Sequence, residues 1–73
     1  MEILLTVKEL ALALKLTEQT IQRYVMRNEI PYRKIMRVVR FRPSEVNRWI
    51  DNGGLRDEAG AARLEVQEIG GEV

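Results

Sequence analysis

Three polar residues near the middle of the chain, Gln19, Gln22 and Arg23, have side chains that can read the edges of DNA bases. The amide of Gln can form two hydrogen bonds with adenine, and the guanidinium of Arg can form two with guanine. On a helix that advances by about 100° per residue, these side chains lie opposite the apolar Ile21 and Val25. Taken alone, such a face is more often simply solvated, so its interpretation depends on the neighbouring segment of the chain.

A basic segment comes directly after this helix and mixes cations with β-branched and aromatic residues. Seven Arg or Lys residues stand against two Glu residues between Glu18 and Arg42: Arg23, Arg27, Arg33, Lys34, Arg37, Arg40 and Arg42. Such a cluster can be a solvated face or a surface for phosphate groups, and charge alone does not decide between them. The pattern from Tyr32 to Phe41 predicts two short antiparallel strands that turn at Met36–Arg37, although neither Gly nor Asn marks the turn.

Size and composition exclude several classes of function. The chain has 73 residues, no Cys and no His. A domain of this size has a small core, and this composition removes disulfides, the usual zinc ligands, thiol nucleophiles and the commonest general base. We therefore expect neither an enzyme nor a cofactor. No apolar stretch approaches the roughly 18 residues of a membrane span, so we expect a cytoplasmic protein without a membrane partner.

Local signals place three helices around these residues. Thr6 followed by Glu9 forms a capping box for the first helix, and Thr17 can cap the second. Pro31 ends the second helix by restricting the residue before it, and Pro43 suits the first position of a third helix. Gly53–Gly54 then ends this third helix.

The charge divides the chain into two regions. Residues 1–52 carry ten basic and six acidic side chains and have a net charge of +4. Residues 53–73 carry two basic and five acidic side chains and have a net charge of −3. We assign residues 1–53 to the folded domain and residues 54–73 to an acidic tail that is flexible or partly helical. Within the domain, Trp49 and Tyr24 are expected to pack inside, and Phe41 with Ile35 to hold the strands against the helices.

Two short helices joined by about three residues, with polar groups on the second, are typical of a helix-turn-helix. The stretches "LLTVKELA", "LTEQTIQRYVMRNEIP" and "VRFRPSEVNRWI" together resemble the excisionase-type, MerR-related winged helix-turn-helix family, from Leu4 to Ile50. The resemblance implies a mainly α fold with three short helices and a two-stranded wing between the second and third. It implies DNA contacts by Thr17, Gln19, Thr20, Gln22, Arg23 and Arg27 on the helix, and by Lys34, Arg37 and Arg40 on the wing.

These observations predict sequence-selective binding of double-stranded DNA, as an excisionase-like recombination directionality factor or a small transcriptional regulator. Arg33 joins the predicted contacts because it lies in the same basic cluster. Further copies of the chain on repeated sites, or a recombinase, are the candidate protein partners, and no small-molecule ligand is expected. The alternative is a protein-interaction adaptor that uses its basic face and its C-terminal tail.

Overall fold

A computed structural model describes residues 1–55 and 62–68, and it contains three helices and one β-hairpin. Helix α1 spans Val7–Leu14, α2 spans Glu18–Met26 and α3 spans Pro43–Asp51. Strands β1 (Arg33–Ile35) and β2 (Val38–Arg40) lie between α2 and α3. The predicted fold class, mainly α with a small two-stranded wing, is confirmed.

The predicted helix caps are present at α1 and α2. The Thr6 hydroxyl accepts a hydrogen bond from the Glu9 amide at 3.0 Å, and the Glu9 carboxylate accepts one from the Thr6 amide at 2.9 Å. Thr17 caps α2 by accepting from the Thr20 amide at 3.1 Å. Lys15 caps the C-terminal end of α1 in the left-handed conformation and begins the three-residue connection to α2. Helices α1 and α2 pack against each other.

The hairpin turns at Met36–Arg37, as the sequence predicts, and the turn is unusual in its residue types. Met36 has φ 49° and Arg37 has φ 72°, the positive values that a two-residue hairpin of type I′ requires at both central positions. Asn-Gly or Asp-Gly is the usual pair there because a left-handed backbone costs other residues about 1–2 kcal/mol each. The wing therefore turns tightly without the residues that make such a turn easy.

The core lies where the three helices meet the base of the wing. Its buried members are Leu10, Ala11, Ile21, Ile30, Phe41, Val46, Ile50 and Leu64. Phe41 is fully buried, and its backbone exchanges hydrogen bonds of 2.8 and 2.9 Å with that of Leu5. This bridge fixes the end of the wing to the N-terminal segment. Ile35 does not hold the wing to the helices as predicted, because it lies near the wing tip and remains 43% exposed.

Trp49 and Tyr24 pack at the edge of the core, as expected. Their rings meet edge to face, with centroids 5.4 Å apart, and both side chains contact the buried cluster while staying partly accessible. Gly54 lies so close to the Trp49 indole that a Cβ there would collide with the ring nitrogen. The backbone that leaves α3 therefore passes directly over the indole.

Residues 62–68 form an extended segment that belongs to the folded domain. Leu64 is 5% exposed within the core, and its amide donates to the buried Asn47 side chain at 2.8 Å while its carbonyl accepts from it at 3.0 Å. The Ile3 amide donates to the Gln67 carbonyl at 2.7 Å. The sequence analysis assigned these residues to a flexible or partly helical tail, whereas the structure places Leu64 in contact with the core; the rest of that tail lies outside the described residues.

Candidate nucleic-acid interface

Helix α2 presents the predicted base-reading residues on its outer side. Ile21 is 1% exposed and anchors the helix in the core, whereas Gln19, Gln22 and Arg23 are exposed. Arg27 stands exposed at the C-terminal cap of the same helix. The structure therefore gives these four predicted site residues the accessibility that contact with a base or a phosphate requires.

The hydroxyls at the start of α2 form hydrogen bonds within the first turn of the helix. Thr17 Oγ1 and Thr20 Oγ1 lie 2.8 Å apart and share a hydrogen bond, and Thr17 also caps the helix. A phosphate oxygen placed at this end would meet a hydroxyl pair held in one geometry, together with backbone amides of the first turn. Thr20 is half-buried and Thr17 exposed, so the pair is accessible mainly from the Thr17 side.

A shallow cleft shows that the outer side of α2 and the wing face the same region. The cleft has a volume of about 290 Å³ and is lined by Val7, Gln22, Val25, Met26 and Val39. Gln22 and Met26 come from α2, and Val39 comes from β2. Because residues of both elements line one depression, a duplex held by α2 would also lie beside the wing.

Four of the predicted cations on this surface have no acidic partner among residues 1–55 and 62–68. The ion pairs found there join the N-terminus to Glu68, Arg33 to Glu45 and Arg63 to Asp51. Four predicted site residues take no part in them and are exposed on α2 and the wing: Arg23, Arg27, Lys34 and Arg37. Their charge is therefore available to an anionic ligand, which is the arrangement that phosphate binding requires.

Arg33 and Arg40 are placed differently from the other predicted contacts. The Arg33 guanidinium donates to the Glu45 carboxylate of α3, with Nη2 and Oε2 2.5 Å apart. This hydrogen bond lowers the pKa of Glu45 and raises the pKa of Arg33. Arg40 is half-buried and donates to the Val39 carbonyl at 2.7 Å. A DNA contact by either residue remains a prediction, and it would compete with these bonds.

Arg33 and Arg40 also face each other across the hairpin. They are directly opposed in the antiparallel register, and like charges in that position repel. Glu45 lies beside this pair and its carboxylate balances one of the two charges. The ion pair with α3 therefore offsets part of the repulsion between the two opposed arginines.

The sequence analysis assigned no role to Met36 and Val38, two of the apolar side chains at the wing tip. Met36 is 91% exposed, and Ile35 and Val38 are each more than two-fifths exposed. The signal in the sequence was the turn itself, where Met and Arg stand in place of Asn-Gly.

Two further findings concern other classes of site. Within the described residues, no group of three or more His, Cys, Asp or Glu side chains could hold a metal ion. None of the three described helices is long and apolar enough to cross a membrane.

Comparison with protein-family models gives a match for residues 4–54, to the model described as a helix-turn-helix domain. Comparisons with curated proteins and with solved structures give no match. The matched range holds all three helices and the wing, and it makes up more than half of the chain. The chain therefore belongs to this helix-turn-helix domain family, a family of DNA-binding modules.

Proposed function

We propose that the chain binds duplex DNA with sequence preference, with α2 in the major groove and the wing against the neighbouring backbone. The observation that carries the proposal is the exposed set Gln19, Gln22 and Arg23 on a helix whose outer side meets the wing at one cleft. In this arrangement the Gln and Arg side chains provide sequence preference. The exposed cations of α2 and the wing that have no acidic partner within the described residues provide most of the affinity.

For the biological role, we propose an excisionase-like recombination directionality factor or a small transcriptional regulator. The support is the resemblance of Leu4–Ile50 to excisionase-type, MerR-related proteins, together with the helix-turn-helix match. A single module of 73 residues buries little DNA surface, so stable occupancy requires several copies on repeated sites or a recombinase partner. The proposal involves no catalytic step, cofactor or small-molecule ligand.

The first test identifies the preferred site and then removes one base contact. Fragments bound by the full chain are selected from random DNA, and footprinting locates the protected bases. Arg23→Ala should then weaken binding to the selected site by about 1–3 kcal/mol and to unrelated duplex by much less. Arg48→Ala is the matched control, because it removes the same charge from an exposed position on α3.

Equal losses on the selected and unrelated duplexes would show that Arg23 contacts phosphate and does not read a base. A loss as large for Arg48→Ala would show that only net charge matters. Binding that lacks any preferred site and does not depend on salt would exclude the DNA-binding proposal and favour a protein partner for the basic face.

The second test concerns the wing. Replacing Lys34 and Arg37 with Ala should weaken binding to selected and unrelated duplexes by similar factors, because phosphate contacts carry no sequence information. The slope of log K against log salt should flatten by about 0.9 for each phosphate that the wing no longer neutralises. An unchanged slope would remove the wing from the interface even if α2 still binds DNA.

A further inference from the structure

The wing tip, residues 35–38, combines exposed apolar side chains with cations. Met36 is 91% exposed at the apex, and Ile35 and Val38 lie paired across the two strands on one face beneath it. Lys34 and Arg37 flank these residues, and neither has an acidic partner within residues 1–55 and 62–68. The tip is therefore an apolar point surrounded by positive charge.

The backbone of the wing tip adopts an energetically unfavourable left-handed conformation. Met36 and Arg37 both have positive φ, for which left-handed backbone costs such residues about 1–2 kcal/mol each. Non-Gly residues in such conformations concentrate at sites where a ligand is held. The tight turn leaves Met36 almost fully exposed at the apex of the wing.

The size and charge of the tip decide between its candidate occupants. A specific protein interface needs roughly 1,000 Å² or more of buried surface, which a two-residue turn cannot supply. A wedge between stacked base pairs needs only one apolar side chain, and Met, Leu, Ile and Phe serve this role in proteins that kink DNA from the minor groove. The flanking cations match the phosphates that border such a groove.

We propose that Met36 inserts between two base pairs from the minor groove next to the major groove that holds α2, and that this insertion kinks the duplex. The preferred step is pyrimidine–purine, TA or CA/TG, because these steps unstack most easily. Ile35 and Val38 support the wedge from the strands, and Lys34 and Arg37 hold the bordering phosphates. The inference rests on the proposed DNA-binding function and extends it to a deformation of the DNA.

The test measures unstacking and bending directly. The full chain is added to duplexes that carry the selected site, with 2-aminopurine placed in turn at each flanking position. We expect its fluorescence to rise at one step on the wing side, and fluorescence energy transfer between the duplex ends to report a bend of roughly 20–90°.

Met36→Gln keeps the length of the side chain and removes its apolar end, so it should abolish the fluorescence rise and most of the bend. Leu12→Gln is the matched control, since Leu12 is a 70% exposed apolar residue on α1, and it should change neither signal. Replacing the unstacked step by an A-tract should weaken binding by the parent chain several-fold more than binding by Met36→Gln, because A-tracts are stiff.

The outcomes separate this inference from the function on which it rests. Failure of the parent chain to bind any duplex would refute the proposed function. Salt-dependent, site-selective binding with no fluorescence rise and a straight duplex would leave the function standing and refute the wedge. A bend that persists in Met36→Gln would also refute it and assign the bending to phosphate neutralisation by the wing cations.

Discussion

Replacing Leu64 by Ala should destabilise the whole domain, although this residue lies beyond α3. Leu64 is 5% exposed and contacts the same core as Phe41 and Val46. Leu→Ala changes at buried sites cost about 2–5 kcal/mol, with the lower values where the surroundings can collapse into the space. Because Leu64 lies in a segment outside the helices and the hairpin, whose backbone can adjust to the smaller side chain, we expect a loss of about 2–3 kcal/mol.

This loss is large relative to the total stability of so small a domain. A chain of 73 residues at the usual stability per residue has a free energy of unfolding of roughly 4–11 kcal/mol. Leu64→Ala would thus remove between a fifth and three-quarters of it. Truncation before residue 62 should cost more, because it also leaves the buried Asn47 amide without the two hydrogen bonds that it forms with the Leu64 backbone.

Urea denaturation followed by far-ultraviolet circular dichroism measures the change. Val66→Ala is the matched control, because Val66 lies in the same segment but is 40% exposed, and it should cost well under half as much. A Leu64→Ala variant within about 0.5 kcal/mol of the parent, the range of ordinary surface substitutions, would refute the assignment of residues 62–68 to the core. A chain truncated before residue 62 that unfolds at the same urea concentration as the parent would refute the same assignment.

Two further predictions concern the wing and its attachment to α3. Arg37→Gly should stabilise the domain by about 0.5–1 kcal/mol in urea denaturation, because Gly adopts positive φ without steric cost. The greater conformational entropy of Gly in the unfolded chain offsets only part of this gain. A loss of stability would contradict the strain argument. Glu45→Gln should lower the melting temperature at neutral pH. Arg33 lowers the pKa of Glu45 in the folded state, so the stability from this pair is present above the unfolded pKa near 4.3 and is lost as the pH falls through the lower folded pKa. The difference between variant and parent should therefore vanish in acid. Glu29→Gln, at an exposed position after α2, is the control and should leave the melting temperature at neutral pH unchanged.

The helices could be predicted from the sequence because the signals that start and end them are local. Thr6 with Glu9 and Thr17 with Thr20 lie three residues apart, so each cap is visible in a short stretch of sequence. The wing was equally accessible through its β-branched composition, which placed the turn at Met36–Arg37. The outer face of α2 followed from helical periodicity alone.

What the sequence did not reveal depends on contacts between distant residues. Asn47 binds the backbone of Leu64 across 17 positions, and Arg33 binds Glu45 across 12. Neither pairing leaves a periodic or compositional trace, so the tail was predicted from its charge and Arg33 from its place in a basic cluster. The exposure of Ile35 was missed for a related reason. The alternation of residue types along a hairpin does not show how far the hairpin extends beyond the core.

Two kinds of energetic cost, unpaired charge and left-handed backbone, occur together on the surface formed by α2 and the wing. On α2 and the wing, four exposed cations lack acidic partners within the described residues, although the same fold pairs Arg33 with Glu45 and Arg63 with Asp51. The two left-handed residues of the hairpin turn lie on that surface as well. Departures from local rules that share a location are expected where a ligand binds, since selection for binding opposes their removal. Because Arg37 contributes to both costs, Arg37→Gly should gain stability and lose DNA affinity together, and a variant that gained both would place the ligand elsewhere.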